Sequence, residues 1–307
     1  MASIQEIKRR IKAVTSTGQI TKAMELVSAT KMRRSQEVAL TSRPYAMEAY
    51  RILAELRQRS AYLPALMQRR EIKKTAVVLV ASDRGLAGSF NANVFRVFEQ
   101  WFSGSESNTH RVFIAVGKKA EEFLVRKGLA VHQSFKNYGD HVEIAQVEPL
   151  TRHLVDGFLT GVWDEVVMVS THFRTTLKQE VFVRELLPID TDKVRDAIRE
   201  IVPEYGRYAD ITNGNGANGI PDFEYLIDPD PQTVMDALAP QLLEIVLYDF
   251  ILEANASEHS ARMVAMKSAS DNAAELRDTL TVAYNKVRQG AITREISEIV
   301  SGAEALS

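Results

Sequence analysis

Between Pro240 and Gly290 this 307-residue chain has neither a proline nor a glycine. The run is several times the ~11–12-residue mean of globular helices. As one straight α-helix it would extend roughly 75 Å at 1.5 Å per residue. A small domain is only about 30 Å across, so such a helix must leave the body of the protein or pair with something equally long.

Its apolar pattern indicates pairing. Steps of seven from Leu238 give Ile245, Leu252, His259, Met266, Ala273, Leu280 and Val287, and a strict seven-residue repeat implies a left-handed coiled coil. Ala256, Met263, Ala269, Ser270, Leu276 and Ala283 flank that seam. Small residues let two backbones approach closely, but each buries little apolar area, at only ~25 cal/mol per Å². The middle of the helix is therefore expected to be slender, weakly self-stabilised and surrounded by a sleeve.

A second proline-free segment spans residues 3–42, interrupted only by Gly18. Ser3 with Glu6 fits a capping box. Ile4, Ile7, Ile11 and Val14 mark one helical face, which continues less cleanly through Ile20, Met24 and Val27. Tyr50, Leu53 and Leu56 keep helical spacing beyond Pro44, so the helix is expected to bend there and continue. Two long helices with narrow seams at opposite ends of one chain most simply wind around each other antiparallel.

The texture between them alternates. Thr75–Ala81, Arg111–Val116 and Val166–Ser170 are short β-branched runs suited to buried parallel strands. Val181–Leu187 reads as a further strand and Phe223–Ile227 as an edge strand. Asn93–Phe102, Lys118–Lys127 and Val147–Leu159 read as the intervening helices. The expected architecture is a Rossmann-like three-layer α/β domain with a mostly parallel sheet, joined to an antiparallel two-helix coiled coil. The expected bounds are 1–60 and 230–307 for the coiled-coil helices and 72–228 for the α/β domain. Within the latter, 189–221 forms a flexible insertion ending in Asn213–Gly219, with Asp192–Val202 as one short helix. Asp230-Pro231 reads as N-cap and first residue of the last helix, and Pro240 as a kink soon after.

Charge divides the chain. Residues 1–74 hold sixteen Lys/Arg against six Asp/Glu, while the remainder holds twenty-two against thirty-four, for a net charge of -2. Such asymmetry suggests that one part meets an oppositely charged partner. There is no cysteine, which excludes disulfides, thiolate catalysis and Cys-ligated zinc. No apolar run approaches the ~20 residues needed to span a bilayer, and the N-terminus lacks the apolar core of a signal peptide, so an intracellular protein is expected.

Sites of small-molecule chemistry are sparse. The glycines in Ser82–Asn91 could cradle a phosphate, but the G-x-G-x-x-G fingerprint is absent, and a structural βα turn is expected. Gly117-Lys118-Lys119 lacks the earlier P-loop glycine, since Val112 occupies that position. No two histidines stand at i, i+4 as a helical metal pair, and His259 is expected to be a packed, hydrogen-bonded seam residue. The basic first helix has few aromatics and no recognisable nucleic-acid-binding module. No cofactor, metal or nucleic-acid ligand is expected.

Two long motifs carry a family resemblance. Residues 20–34 (ITKAMELVSATKMRR) with Ser42-Arg43-Pro44-Tyr45, and residues 256–272 (ASEHSARMVAMKSASDN) with 284–293 (YNKVRQGAIT), closely resemble the terminal signatures of the ATP synthase gamma subunit. Ser82–Leu86 matches as well. The resemblance implies a non-catalytic central shaft, turned by proton flow, within three alpha and three beta subunits. It also implies an α/β foot that meets the epsilon subunit and the membrane c-ring, with no membrane insertion of its own. The implied location is the cytoplasmic face of a bacterial cell membrane. Lys22, Met24, Arg33, Arg34, Arg288, Gln289 and Thr293 match coupling or partner-contact positions.

Three departures from the family stand out. Ala87-Gly88-Ser89-Phe90 replaces a frequent Cys-Gly-Gly-Leu, Gly18 replaces a polar helix former at ~1 kcal/mol of local helix stability, and the 189–221 insertion is longer than usual. Two other readings compete with the shaft: an α/β enzyme with helical oligomerisation arms, and a structural coiled-coil adaptor. The enzyme would require convergent polar groups in a cleft at the strand C-termini.

Overall fold

The computed structural model describes residues 4–104, 110–139, 142–191, 193 and 227–304. Ser3, Asn213–Gly219, nearly all of Asp192–Val202 and all but the end of Phe223–Ile227 lie outside these, so the capping box, the insertion, the short helix and the edge strand do too.

Two helices account for much of the chain: α1, Ile4–Arg59, and the last helix, Pro231–Glu304, of 74 residues. Pro44 lies inside α1, as its flanking periodicity requires. Pro240 lies inside the last helix, which runs through it unbroken. A proline removes one backbone bond, and Leu242, Leu243, Ile245 and Val246, all buried just beyond it, hold the helix through that loss. Asp230 caps the start: Oδ1 accepts from the amides of Gln232 and Thr233 at 2.9 Å each, and Oδ2 from the Thr233 hydroxyl at 2.7 Å.

The elements between are β1 Lys74–Val80, α2 Phe90–Gly104, β2 His110–Val116, α3 Lys118–Arg126, β3 Val131–Phe135, α4 Ile144–Leu159, β4 Glu165–Phe173 and β5 Gln179–Leu187. The last helix is therefore α5. The expected strands and helices that fall within the described residues are all present. β3 is the addition: its sequence, VHQSF, is polar and half-exposed because it is a sheet edge. The sheet order is β3-β2-β1-β4-β5, parallel except for the antiparallel β4–β5 pair.

Contacts divide the chain into two units, Met1–Ser28 with Arg262–Ser307, and Ala29–Ala261. The second has three layers. Val77, Leu79, Phe113, Ala115 and Val169 form one sheet face, packed with Val94, Phe98, Phe123 and Leu124 of α2 and α3. Alternate residues Ala76, Val78, Ile114, Val116, Val166 and Met168 form the other face. They share a core with Leu150, Leu154 and Phe158 of α4, Leu53 and Leu56 of α1, and Leu242, Val246 and Phe250 of α5. Period-two alternation thus supplies both faces of a doubly covered sheet. The lower part of each long helix belongs to this core.

The first unit is a two-helix pairing. The Thr21 and Ser270 hydroxyls lie 2.7 Å apart, and a Cβ added at Gly18 would sit 3.3 Å from the Ala273 Cβ. One helix descends from 21 to 18 as the other rises from 270 to 273, so they are antiparallel. Along α1 the inward positions are Ile4, Ile7, Ile11, Val14, Gly18, Thr21, Glu25 and Ser28, alternate steps of three and four. This corrects the expected course of the face. Ile20 and Val27 are 60% and 54% exposed, while small or polar residues occupy the seam. On α5, Met266, Ser270, Ala273, Leu280, Tyr284 and Val287 turn inward, and Leu276 and Ala283 face outward. A heptad seam continues in its own register, whatever the hydrophobicity of the residues it meets.

Candidate partner-binding surface of the helical unit

Where small and polar residues such as Gly18, Thr21, Ser28, Ser270 and Ala273 form the seam of this unit, neighbouring larger apolar side chains are left outside. Ile20, Leu26 and Val27 of α1 are exposed, as are Leu276 and Val282 of α5. Beyond Val287, every residue of α5 to Ser301 is exposed. Ile292, Ile296 and Ile299 recur there at spacings of four and three, with Val300 beside them, at 48–67% exposure. An α-helix with an apolar stripe needs a second surface to cover it. Contiguous exposed apolar area of this kind marks an interaction site.

The residues singled out from sequence fall into three places. Met24 is half-buried on α1, beside the exposed Ile20, Leu26 and Val27. Lys22 is exposed and pairs with Glu25 at 2.9 Å. Arg288, Gln289 and Thr293 are exposed on the uncovered end of α5. Arg288 lies eighteen residues past Ser270, the partner of Thr21, or about 27 Å along the helix. Arg33 and Arg34 are exposed on α1 in the other unit. Met24 and Arg288 therefore occupy separate stations along one unit. Sequence reading missed the outward Ile20, Leu26 and Val27, and the Ile292–Ile299 stripe. Strict heptad extension from Ile7 and Ile11 would have found the former; continuing the α5 pattern past Gly290 would have found the latter.

The α/β unit offers the contrasting arrangement. In an open sheet, ligands enter at the strand C-termini where the order reverses, here between β1 and β4. The Ser82–Asn91 turn consumes its own polar groups. The Ser82 hydroxyl donates to the Arg84 carbonyl at 2.7 Å, and Asn91 bonds both the amide and hydroxyl of Ser82. Asp83 accepts from the amides of Lys118 and Asn137 at 3.0 and 2.9 Å, placing a carboxylate at the N-terminus of α3. Gly117, at φ 91°, has no room for a side chain: a Cβ would stand 2.0 Å from the Ala81 carbonyl oxygen.

Helix α5 packs against the neighbouring loops. Asn255 donates to the Tyr138 carbonyl at 2.6 Å, His259 to that of Gly139 at 2.9 Å, and Ser260 to that of Thr176 at 2.7 Å. His259 is 2% exposed, packed and hydrogen-bonded as expected, but in the α/β unit, against the Gly139 loop. These bonds tie α5 to the loop after β3 and to the β4–β5 turn, beside the carboxyl ends of the strands. Among the described residues, no group of three or more His, Asp or Glu is placed to hold a metal, and no helix is long and apolar enough to cross a membrane.

Comparison with known proteins agrees with this geometry. A profile of the ATP synthase family matches residues 3–306. The chain is 40% identical over 311 residues to an ATP synthase gamma chain of Roseiflexus sp. (strain RS-1), spanning 100% of this chain and 99% of that one. It is 39% identical over 317 residues to the ATP synthase gamma chain of Herpetosiphon aurantiacus, covering both completely. Its fold resembles a chain in the OSCP/F1/c-ring structure of Euglena gracilis mitochondrial ATP synthase, with a TM-score of 0.64 at 17% identity over 99% of this chain and 94% of that one. With this coverage, a pairing of two terminal helices and a mostly parallel α/β sheet, the chain belongs to the ATP synthase gamma chain family.

Proposed function

We propose that this chain is the central rotor shaft of an F-type ATP synthase, transmitting rotation between a membrane ring and the catalytic subunits without catalysing a reaction itself. The observation that carries this reading is the α5 end from Arg288 to Ser301, a single helix exposed on every side with an apolar stripe along it. A ring of alpha and beta subunits would cover that stripe. Arg288, Gln289 and Thr293 would meet the beta subunits at one station, and Met24 with Lys22 at another. Arg33 and Arg34 are assigned to the same partners. The division into shaft helices, 1–60 and 230–307, and foot, 72–228, is a functional one. The foot would face the epsilon subunit and the c-ring, on the cytoplasmic side of the membrane. Contacts that form and release during rotation should be partly hydrated, since exposed ion pairs are worth only ~0–1 kcal/mol.

Co-purification tests the reading. Affinity-tagged full chain should bring down catalytic ATPase subunits, and truncation after Val287 should weaken their retention. A chain that purifies without them, and without effect on ATPase activity, would favour the adaptor. Tight, saturable nucleotide binding by the full chain alone would favour an enzyme.

A further inference from the structure

The α/β unit buries a line of polar groups that neither the sheet packing nor the partner surface uses. Asp249, Glu253 and Ser257 succeed one another at i, i+4 on α5, at 0%, 4% and 0% exposure. Ser42 of α1 donates to Asp249 Oδ1 at 2.5 Å. His172 of β4 lies with Nδ1 2.6 Å from Glu253 Oε2. Among the described residues, the other polar atoms have no hydrogen-bond partner: Asp249 Oδ2, His172 Nε2 and Ser257 Oγ, with Ser170 Oγ and Thr171 Oγ1 on the same strand as His172.

A buried carboxylate ordinarily has a cation or several donors. Among the described residues, Asp249 has neither: its one donor is a neutral hydroxyl, and Glu253 one turn away is a second acid. The charged and titratable groups around the line are His172 on β4, Tyr248 and Glu253 on α5, and Arg174 and Arg184 on the β4–β5 hairpin. Both arginines act on Glu253 rather than Asp249. Glu253 shares its hydrogen bond with the His172 ring, whereas Asp249 receives only the Ser42 hydroxyl.

We propose that the Asp249–Ser257 segment of α5 is a proton-sensitive latch, closed onto Ser42 of α1 and His172 of β4 when Asp249 is protonated and loosened when it ionises beside Glu253. Burial, reinforced by Glu253 and opposed by the Ser42 hydroxyl, pushes the Asp249 carboxyl up to about 7. In the opened segment it returns to its ordinary value of 3.8. Between those values the open form has released a proton that the closed form keeps. The latch is therefore tightest below about pH 4, weakens as pH rises, and levels off above about 7. The inference concerns the chain itself and holds whatever assembly the chain serves.

Hydrogen exchange of the full chain tests it, read as protection of the amides Asp249–Ser260 after correction for the intrinsic exchange rate. The Asp249 proton lowers protection about tenfold per pH unit until its own midpoint, so it should account for roughly a 50-fold loss in wild type between pH 5 and pH 7, to which Glu253, also pushed up by burial, adds. Asp249→Asn, a shape-matched neutral side chain, should remove the Asp249 share of that slope. Ser42→Ala should move the levelling point to higher pH, and Glu253→Gln to lower pH. A slope of equal size in wild type and Asp249→Asn overturns the proposal. Infrared titration of wild type gives a second reading that does not depend on any variant folding. A buried protonated-carboxyl band should disappear with a midpoint near 7, and no band titrating above the ordinary carboxylate range overturns it.

Discussion

Gly18 is the most informative position to perturb, because two effects of known size oppose each other there. In sequence it is a weak point, a glycine inside a helix at ~1 kcal/mol relative to alanine. In the structure it faces Ala273, whose Cβ would be 3.3 Å from any Cβ added at position 18. That spacing is a few tenths of an ångström inside ordinary contact. Gly18→Ala should therefore be close to neutral, its propensity gain of ~1 kcal/mol offset by displacement of the partner helix. Gly18→Leu keeps nearly the same propensity gain but adds three more carbons at the seam, where overpacking costs ~1–3 kcal/mol. The net expectation is a loss of about 1 kcal/mol. Ala273→Gly should return about 1 kcal/mol of that in the double variant, as a coupling energy between residues in contact. The assay is urea unfolding of full chain, followed by helical circular dichroism, for the four members of the cycle. If Gly18→Leu stabilises by the full propensity difference and Ala273→Gly adds nothing beyond its single effect, the helices do not approach closely there and the argument fails.

Three further expectations are simpler. Gly157→Ala should destabilise the α/β unit by at least ~1–3 kcal/mol, because the new Cβ would fall 2.0 Å from Cζ2 of the buried Trp163; unchanged thermal unfolding would contradict the packing. Burial and the neighbouring His132 hold the His153 imidazole below its ordinary value. The unfolded chain therefore binds more protons once pH falls below about 6.5, and stability declines on acidification; His153→Phe should flatten that decline in pH-dependent melts. In the assembled complex, Met24→Lys should slow ATP-driven proton pumping more than ATP hydrolysis on inverted vesicles, since an added cation can pair too tightly at one rotary position. Arg288→Ala should do less, and equal pumping-to-hydrolysis ratios in wild type and Met24→Lys would leave this face without a coupling role.

The elements of this protein were legible because local rules dominate them. The run without breakers from Pro240 to Gly290 requires a long helix, β-branched runs such as Thr75–Ala81 require strands, and Asp230-Pro231 marks a helix start; the structure has each. The two terminal motifs identified the family. Polar β3 escaped notice because an edge strand pairs on one side only and needs no apolar run.

Tertiary structure decided the rest. Ile20 and Val27 look like seam residues from hydrophobicity alone, yet pairing with α5 fixes a register that places Gly18, Thr21 and Ser28 inward. Pro240 looks like a place where the helix could break, yet the core packed around Leu242 and Val246 carries one helix through it. Asp249 and Glu253, one turn apart on α5, and His172 on β4 are unremarkable in sequence, and only the packing of α5 onto β4 and α1 removes them from water together. Local propensity depends on neighbours along the chain, whereas register, burial and the protonation of buried acids depend on neighbours in space, which no single stretch of sequence specifies.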